Sequence, residues 1–276
     1  MCGFVFTKDQ ETSDKAFKKA LESLNHRGPD ATEQTILKTV KMGFKRLAVM
    51  DLSHAGNQPF EYNSRYYMCN GEIYNYPQLK EKYEFDYKST SDCELLIPLF
   101  ESLGMPWMLK QLEGEYAFVI YDEKEDEIFA ARDPMGIRPL FYGYSQEGKV
   151  SFASEVKALQ EICMGDIKPF PPGHYYQDGK ILSFLDLSKV KSFNSDSQET
   201  IYKSINKYLT KAVQKRLNSD AQIGFLLSGG LDSSLVCSIA QKYSDKPIKT
   251  FAIGMSGDAI DLKYAKEVAD YIGSDH

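Results

Sequence analysis

The rhythm of hydrophobic and polar positions changes partway along the chain. Up to about residue 155, short runs rich in Phe, Tyr, Val and Ile are bounded by turn residues. They predict strands at 3–6, 42–50, 65–70, 115–121, 127–131, 138–142 and 150–153. Helical spacing appears between them at 14–25, where Phe17, Leu21 and Leu24 recur, and at 92–103. Many strands, few helices and no strict βα alternation predict an α+β domain built on mainly antiparallel sheets. The polar stretch Ser188–Gln198 reads as a linker. Beyond it an amphipathic helix is expected at 199–217, with Ile201, Ile205, Tyr208, Ala212 and Leu217 on one face. A strand (222–227), a Gly/Ser loop (228–234), a helix (235–243), a strand (248–253) and a helix (261–272) follow. This βαβα order opens a doubly wound parallel sheet. The expected domains are therefore 1–187 and 199–276, joined by 188–198.

Composition narrows the function classes. Apolar residues make up 42% of the 276 positions and charged residues 26%, enough for substantial cores in a globule. The net charge of −6 argues against a nucleic-acid or anionic-membrane partner. The five cysteines (Cys2, Cys69, Cys93, Cys163, Cys237) are scattered and form no C-x-x-C pair. A disulfide framework or zinc site is not expected, and a reducing cytosol is. No apolar run approaches the length of a membrane span. Lys8 and Asp9 interrupt the N-terminal apolar stretch, so no signal peptide is read there. Position 2 is not Gly, which excludes myristoylation.

The candidate chemistry begins at Cys2. Trimming of Met1 would leave a residue carrying both a thiol and a free α-amine. These titrate near about 8.5 and about 7.7–8.0, so one residue can supply both nucleophile and base. Further segments stand out: His26–Asp30 (HRGPD), Lys45–Met50 (KRLAVM), Cys69–Tyr74 (CNGEIY), Ser91–Glu94 (SDCE) and Arg132–Leu140 (RDPMGIRPL). Each has an ordinary reading. Asn70-Gly71 reads equally as a hairpin turn, Arg46 as a surface ion pair, and Asp92 as a helix cap.

Taken in order behind an N-terminal Cys, these segments resemble the class II, N-terminal-nucleophile, glutamine amidotransferases over the first ~187 residues. That resemblance implies an αββα sandwich. It makes Cys2 the nucleophile on the glutamine side-chain amide, with its own α-amine as proton carrier. It makes Asn70 and Gly71 the oxyanion hole, where one donor is worth roughly 2.7–4 kcal/mol. Arg46 would fork the substrate carboxylate. Leu47, Ala48, Val49 and Met50 would give backbone contacts, and Glu72 and Asp92 would face the ammonium. The segments His26–Asp30 and Arg132–Leu140 read as structural, with Arg132 and Asp133 as a buried ion pair. No cofactor is implied for glutamine hydrolysis.

In the second part, Ile223–Ser234 (IGFLLSGGLDSS) joins a strand to a helix. Its glycines let backbone N–H groups close on an anion, and it lacks the Walker pattern. The run Ser-Gly-Gly-x-Asp-Ser is similar to the pyrophosphate loop of ATP-pyrophosphatases. By that similarity Leu227, Ser228, Gly229, Gly230, Leu231, Asp232, Ser233 and Ser234 would take ATP. Asp232 would help hold Mg²⁺, and Leu227 and Ile253 would frame adenosine. The two halves together resemble the glutamine-hydrolysing asparagine synthetase family. That family adenylates aspartate with ATP, releases AMP and pyrophosphate, and often pairs as a homodimer; with no targeting signal read, the cytoplasm is the expected compartment. Only 78 residues follow the linker, so the chain reads as a truncated form in which glutaminase chemistry persists and asparagine synthesis does not. The alternatives are a glutaminase serving another acceptor, against which the loop at 228–234 argues, and a non-catalytic glutamine-binding relic. A β-lactam-forming relative would need no N-terminal Cys.

Overall fold

Period-two alternation decides where each strand of the N-terminal part puts its bulk. The computed structural model describes residues 1–190, 192–255 and 260–276, so Lys191 of the expected linker lies outside the described residues. The chain divides into two units, Met1–Lys191 and Ser192–His276.

The first unit runs β1 (Gly3–Thr7), α1 (Asp14–Glu22), β2 (Ala31–Ile36), β3 (Lys41–Arg46), β4 (Phe60–Tyr62), β5 (Arg65–Ile73), α2 (Tyr76–Lys82), α3 (Leu96–Leu103), α4 (Met105–Gln111), β6 (Gly114–Asp122), β7 (Glu127–Arg132), β8 (Phe141–Tyr144), β9 (Val150–Ala153), α5 (Val156–Leu159), β10 (Lys168–Pro169), β11 (His174–Gln177) and β12 (Lys180–Ser183). Two six-stranded sheets form, ordered β10-β8-β9-β1-β3-β2 and β12-β11-β7-β6-β5-β4. Their inner faces share one core: Phe4, Phe6, Met42, Phe44 and Phe152 from the first sheet, and Met68, Ala117, Val119, Ile128 and Tyr176 from the second. Alternate residues turn outward. Val5 and Ala153 pack with Phe17, Ala20, Leu21 and Leu159 of α1 and α5. Tyr67, Cys69, Ile73, Tyr116 and Phe118 pack under Leu96, Leu99, Met108 and Leu109 of α3 and α4. The result is a four-layer αββα sandwich. Each fully buried Phe or Leu contributes about 1.5–3 kcal/mol to it.

Local signals explain several boundaries. The Ser13 hydroxyl accepts from the Ala16 N–H (3.2 Å) and caps α1, worth ~1 kcal/mol. Gly43 is required beneath that helix, since a Cβ there would meet Leu21 Cδ2 at 2.9 Å. Some expectations need correction. Strand β3 ends at Arg46, because residues 47–50 enter a loop held by that arginine. Asn70-Gly71 is no turn but the interior of β5, paired with Ala117 and Tyr116 of β6. The expected helix 92–103 divides into a 3₁₀ turn (Asp92–Leu95) and α3. The expected strand 138–142 begins only at Phe141, because residues 138–140 belong to the preceding turn. Strands β2, β4 and β10–β12 went unread. The polar sequence Ala-Thr-Glu-Gln-Thr-Ile of β2 fits a sheet-edge position, mostly exposed with only Ala31 and Thr35 half-buried.

The second unit runs α6 (Gln198–Arg216), β13 (Gly224–Leu226), α7 (Leu231–Lys242), β14 (Lys249–Phe251) and α8 (Ile260–Ile272), with β13 and β14 parallel. Its core is Val213, Leu227, Cys237, Ala240, Ile248, Ala265 and Ala269. The expected apolar stripe of α6 is not buried: Ile205 is 56% exposed and Tyr208 68%. No helix among the described residues is long and apolar enough to cross a membrane.

Candidate active site

The same alternation that builds the inner core gathers the candidate residues. Cys2 precedes Phe4 and Phe6 by the period of β1 and packs against the inner core. Arg46 continues Met42 and Phe44 on β3, and Asn70 and Glu72 continue Met68 on β5. All four therefore lie on sheet faces that oppose each other.

The Cys2 thiol is anchored to the first peptide after β3. Leu47 N–H donates to Sγ at 3.3 Å, and Sγ lies 3.4 Å from the Leu47 carbonyl. Burial pushes the thiol up to about 11, against the hydrogen bond from Leu47. Burial lowers the N-terminal amine on Met1. Cys2 opposes that shift, Arg27 and Arg138 add to it, and Glu72 opposes it.

His26–Asp30 fastens the start of β1. Arg27 Nε donates to the Cys2 carbonyl at 2.7 Å, and Arg27 Nη1 pairs with Glu155 at 3.0 Å. Although burial works against it, hydrogen bonds from Arg27, Lys157 and His26 hold Glu155 down to about 2. Gly28 passes so close to β3 that a Cβ would sit 2.2 Å from the Lys45 carbonyl. Asp30 accepts from the Ala48 N–H at 2.8 Å, which fixes the segment after Arg46.

Arg46 is buried, and its guanidinium does not stand open as a fork. Nη1 donates to the Ser53 carbonyl (2.6 Å) and Asn57 Oδ1 (2.7 Å), while Nη2 donates to the carbonyls of Met50 (3.2 Å) and Asp51. Its terminal donors organise the loop that holds Leu47, Ala48, Val49 and Met50. Neither does it make the surface ion pair of the ordinary reading. Gly56 makes room for it, since a Cβ there would lie 2.2 Å from Nη2.

Asn70 is 1% exposed and its Nδ2 has no hydrogen-bond partner. An unmet buried donor costs about 1–3 kcal/mol, so its retention calls for a reason. Gly71 lies against β6, where a Cβ would meet the Glu115 carbonyl at 2.3 Å and Tyr116 Cα at 2.7 Å. Gln58 holds the strand beside them, its Oε1 accepting from the Cys69 N–H at 2.6 Å. Nothing in the sequence around Gln58 marks that role.

Glu72 and Asp92 form an acidic pair. Burial, then Asp92, push Glu72 up to about 8, with Arg138 and the N-terminal amine opposing and Glu115 adding. Burial pushes Asp92 up to about 6, against hydrogen bonds from backbone groups that include the Ile73 N–H at 2.6 Å. In this setting Glu72 holds its proton past neutrality, while Asp92 releases its own below it. Asp92 bonds across to β5 and stands inside its 3₁₀ turn, whose N-cap position is Ser91.

The expected Arg132–Asp133 ion pair is replaced by two sets of backbone contacts. Arg132 donates to the carbonyls of Arg138, Gly136 and Phe170 at 2.7–2.8 Å. Asp133 accepts from the N–H groups of Met135, Ile137 and Arg138 at 3.0 Å. A tight turn rich in Gly and Pro leaves many peptide groups unpaired, and these two side chains satisfy them.

In the second unit, α7 starts at Leu231, four residues earlier than expected, so Asp232, Ser233 and Ser234 occupy its first turn. Ser228 and Ser233 hydroxyls lie 3.1 Å apart and tie the loop to the helix. Gly229, at φ +78°, backs onto α8, where a Cβ would meet Tyr264 C at 2.5 Å. Leu227 cannot frame a nucleotide with its side chain, which is 1% exposed in the unit's core, whereas Ile253 is 93% exposed. Asp232 is a single exposed carboxylate. A Mg²⁺ ion at such a place takes its remaining ligands from phosphate oxygens and water, and the residues fit that limited part. Among the described residues no group of three or more His, Cys, Asp or Glu could hold a metal ion by itself.

Comparison with known proteins accords with both halves. The glutamine amidotransferase domain family matches residues 1–213 and the asparagine synthase family residues 204–276. A probable glutamine-hydrolysing asparagine synthetase of Acanthamoeba polyphaga mimivirus is 39% identical over 99% of this chain and 55% of its own length. Asparagine synthetase B of Escherichia coli K12 is 36% identical over 94% of this chain and 50% of its own, and the Cricetulus griseus enzyme 36% identical over 100% and 55%. The chain thus spans about half the length of the curated relatives it matches. A glutamine phosphoribosylpyrophosphate amidotransferase from B. subtilis superposes at a TM-score of 0.57, with 19% identity, covering 95% of this chain and 70% of that one, a likeness of fold. On these matches the chain belongs to the glutamine amidotransferase domain family.

Proposed function

We propose that this chain hydrolyses glutamine to glutamate and ammonia through Cys2, after removal of Met1. The observation that carries the reading is the unpartnered Nδ2 of Asn70, buried on the inner sheet face to which Cys2 also belongs. Such a donor suits an oxygen that becomes negative only during reaction. In the proposed sequence the Cys2 sulfur attacks the side-chain carbonyl carbon while its proton passes to the α-amine. Asn70 Nδ2 and the Gly71 N–H receive the oxyanion. The amine returns the proton to the departing ammonia, and water cleaves the thioester. Removing Met1 matters doubly, because it frees the amine on the residue that bears the thiol. Glu72 and Asp92 take the substrate ammonium, and the loop 47–50 presents peptide groups to its backbone. Arg46 reaches a substrate carboxylate by exchanging one of its loop carbonyls, or orders the loop that does so.

The second unit supports a wider reading, in which the ammonia serves ATP-dependent amidation of aspartate. Ser228–Ser234 would take pyrophosphate at the N-terminus of α7, with Mg²⁺ borne on the nucleotide phosphates. Ile253 would flank adenosine by its side chain and Leu227 by its backbone. Pairing into a homodimer is carried over from the family, and cytosolic residence is kept as part of this reading. The chain alone is proposed to act as a glutaminase.

The test is glutamate release from glutamine by the purified chain beside Cys2→Ala, with intact mass to establish loss of Met1. Turnover by the parent and silence of the variant are expected. A processed parent that does not turn over would overturn the reading in favour of a glutamine-binding relic.

A further inference from the structure

Glu72 and Glu115 are direct cross-strand partners on β5 and β6. The alternation of both strands puts the two carboxylates on the inner face, beside Asn70 and Ala117. Like charges directly opposite on neighbouring strands repel, and a largely buried setting gives salt little opportunity to screen them. Arg138 meets this pair. Its Nη2 lies 3.7 Å from Glu115 Oε2, with only 13% of the side chain exposed. Its field reaches Glu72 and the N-terminal amine as well.

The two parts of Arg138 have separate employment. Its backbone serves the turn: the N–H donates to Asp133 and the carbonyl accepts from Arg132. Its guanidinium is not used in that turn, and its Nε is buried with no hydrogen-bond partner. Arg132, by contrast, spends its donors on carbonyls. The other groups that bear on Glu72 are Asp92, Glu115 and the amine, and those that bear on the amine are Cys2, Arg27 and Glu72. Arg27 is tied to the Cys2 carbonyl and Glu155, with its Nη2 buried and unpartnered.

We infer that Arg138 is a positioning residue for glutamine hydrolysis, whose guanidinium offsets the facing Glu72–Glu115 pair so that Glu72 meets the substrate ammonium as an anion. The inference rests on the glutaminase reading above.

The experiment is kcat/KM for glutamine against pH from 5.5 to 9.5, on Met1-free parent, Arg138→Gln and Arg138→Lys. Loss of the cation lets Glu72 keep its proton to higher pH. The acid limb of Arg138→Gln is expected about one pH unit higher, the lower end of what a nearby opposite charge contributes. That is roughly a tenfold loss on the acid limb, recovered at high pH, and Arg138→Lys should restore most of the difference. A profile for Arg138→Gln that is merely scaled down at every pH would overturn the inference, as would a lysine variant no better than glutamine. Carboxyl ¹³C NMR of Glu72 gives a turnover-free reading on the same variants. A parent silent in the assay sinks the glutaminase reading, and an unchanged Glu72 titration in Arg138→Gln sinks this inference.

Discussion

Asn70→Ala separates stability from catalysis at a single position. The side chain is almost wholly buried, and its Nδ2 is unpaired. Truncation removes a donor whose desolvation already costs the fold about 1–3 kcal/mol, while losing the packing of one small amide. The two effects oppose each other, so net destabilisation should stay within about 1 kcal/mol. For a unit of this size that is about 2–4 °C in Tm. The transition state has no such compensation. Loss of one oxyanion donor should lower kcat by about 10²–10³-fold, or roughly 2.7–4 kcal/mol. The assay is glutamate release on Met1-free protein, with thermal denaturation of the same samples. Asn70→Asp is the partner variant: it keeps the shape, replaces the donor with an acceptor, and should be as slow. Turnover within about tenfold of the parent at unchanged Tm would refute the oxyanion assignment. So would a large fall in Tm that tracks the loss of rate, which would make Asn70 part of the scaffold.

Gly71→Ala drives a Cβ to 2.3 Å from the Glu115 carbonyl. Overpacking of that kind costs about 1–3 kcal/mol and should lower Tm and turnover together; a Tm equal to the parent's would contradict the close approach of β5 to β6. The raised acids make stability depend on pH with a definite sign. Glu72, up at about 8, and Asp92, up at about 6, hold protons in the folded chain that the unfolded chain releases near ordinary carboxylate values. Their contribution is complete below those values and fades as pH rises through 6 and 8. Tm of the parent relative to Glu72→Gln should therefore fall between pH 6 and 8.5, and glutamine should raise the parent's Tm more at pH 8 than at pH 6. A parent–variant difference that is flat across the range would contradict the buried-acid account.

Legibility in the sequence followed the distance over which each signal acts. Strands β1, β5, β6, β7 and β9 were readable because their apolar residues alternate against two buried layers. β2 was not, because a polar edge strand looks like a loop. The order of motifs behind Cys2 indicated the family, and Asn70 and Asp92 could be named from it. What Arg46 does with its guanidinium could not be read, because its acceptors are carbonyls of a loop whose path only tertiary structure decides. Arg132 and Asp133, adjacent and opposite in charge, invited an ion pair, yet a turn full of unpaired peptides claimed both. Glu115 carried no signal at all. Its proximity to Glu72 exists only through the register of β5 against β6. Leu227 shows the converse: at a position read as framing a ligand, the side chain lies in the core.

Strand β5 has a consequence for how such a chain can change over time. Its odd positions, Tyr67, Cys69 and Ile73, serve the outer helical layer, and its even positions Asn70 and Glu72 look toward the proposed site. Mutational pressure on robustness and on rate thus falls on interleaved sites that share a backbone but few neighbours. A lineage can retune proton affinity at one register while leaving the adjacent residue's contacts intact. A one-residue slip, by contrast, would exchange every role at once, so insertions and deletions in this strand are closed to it even where substitutions are open.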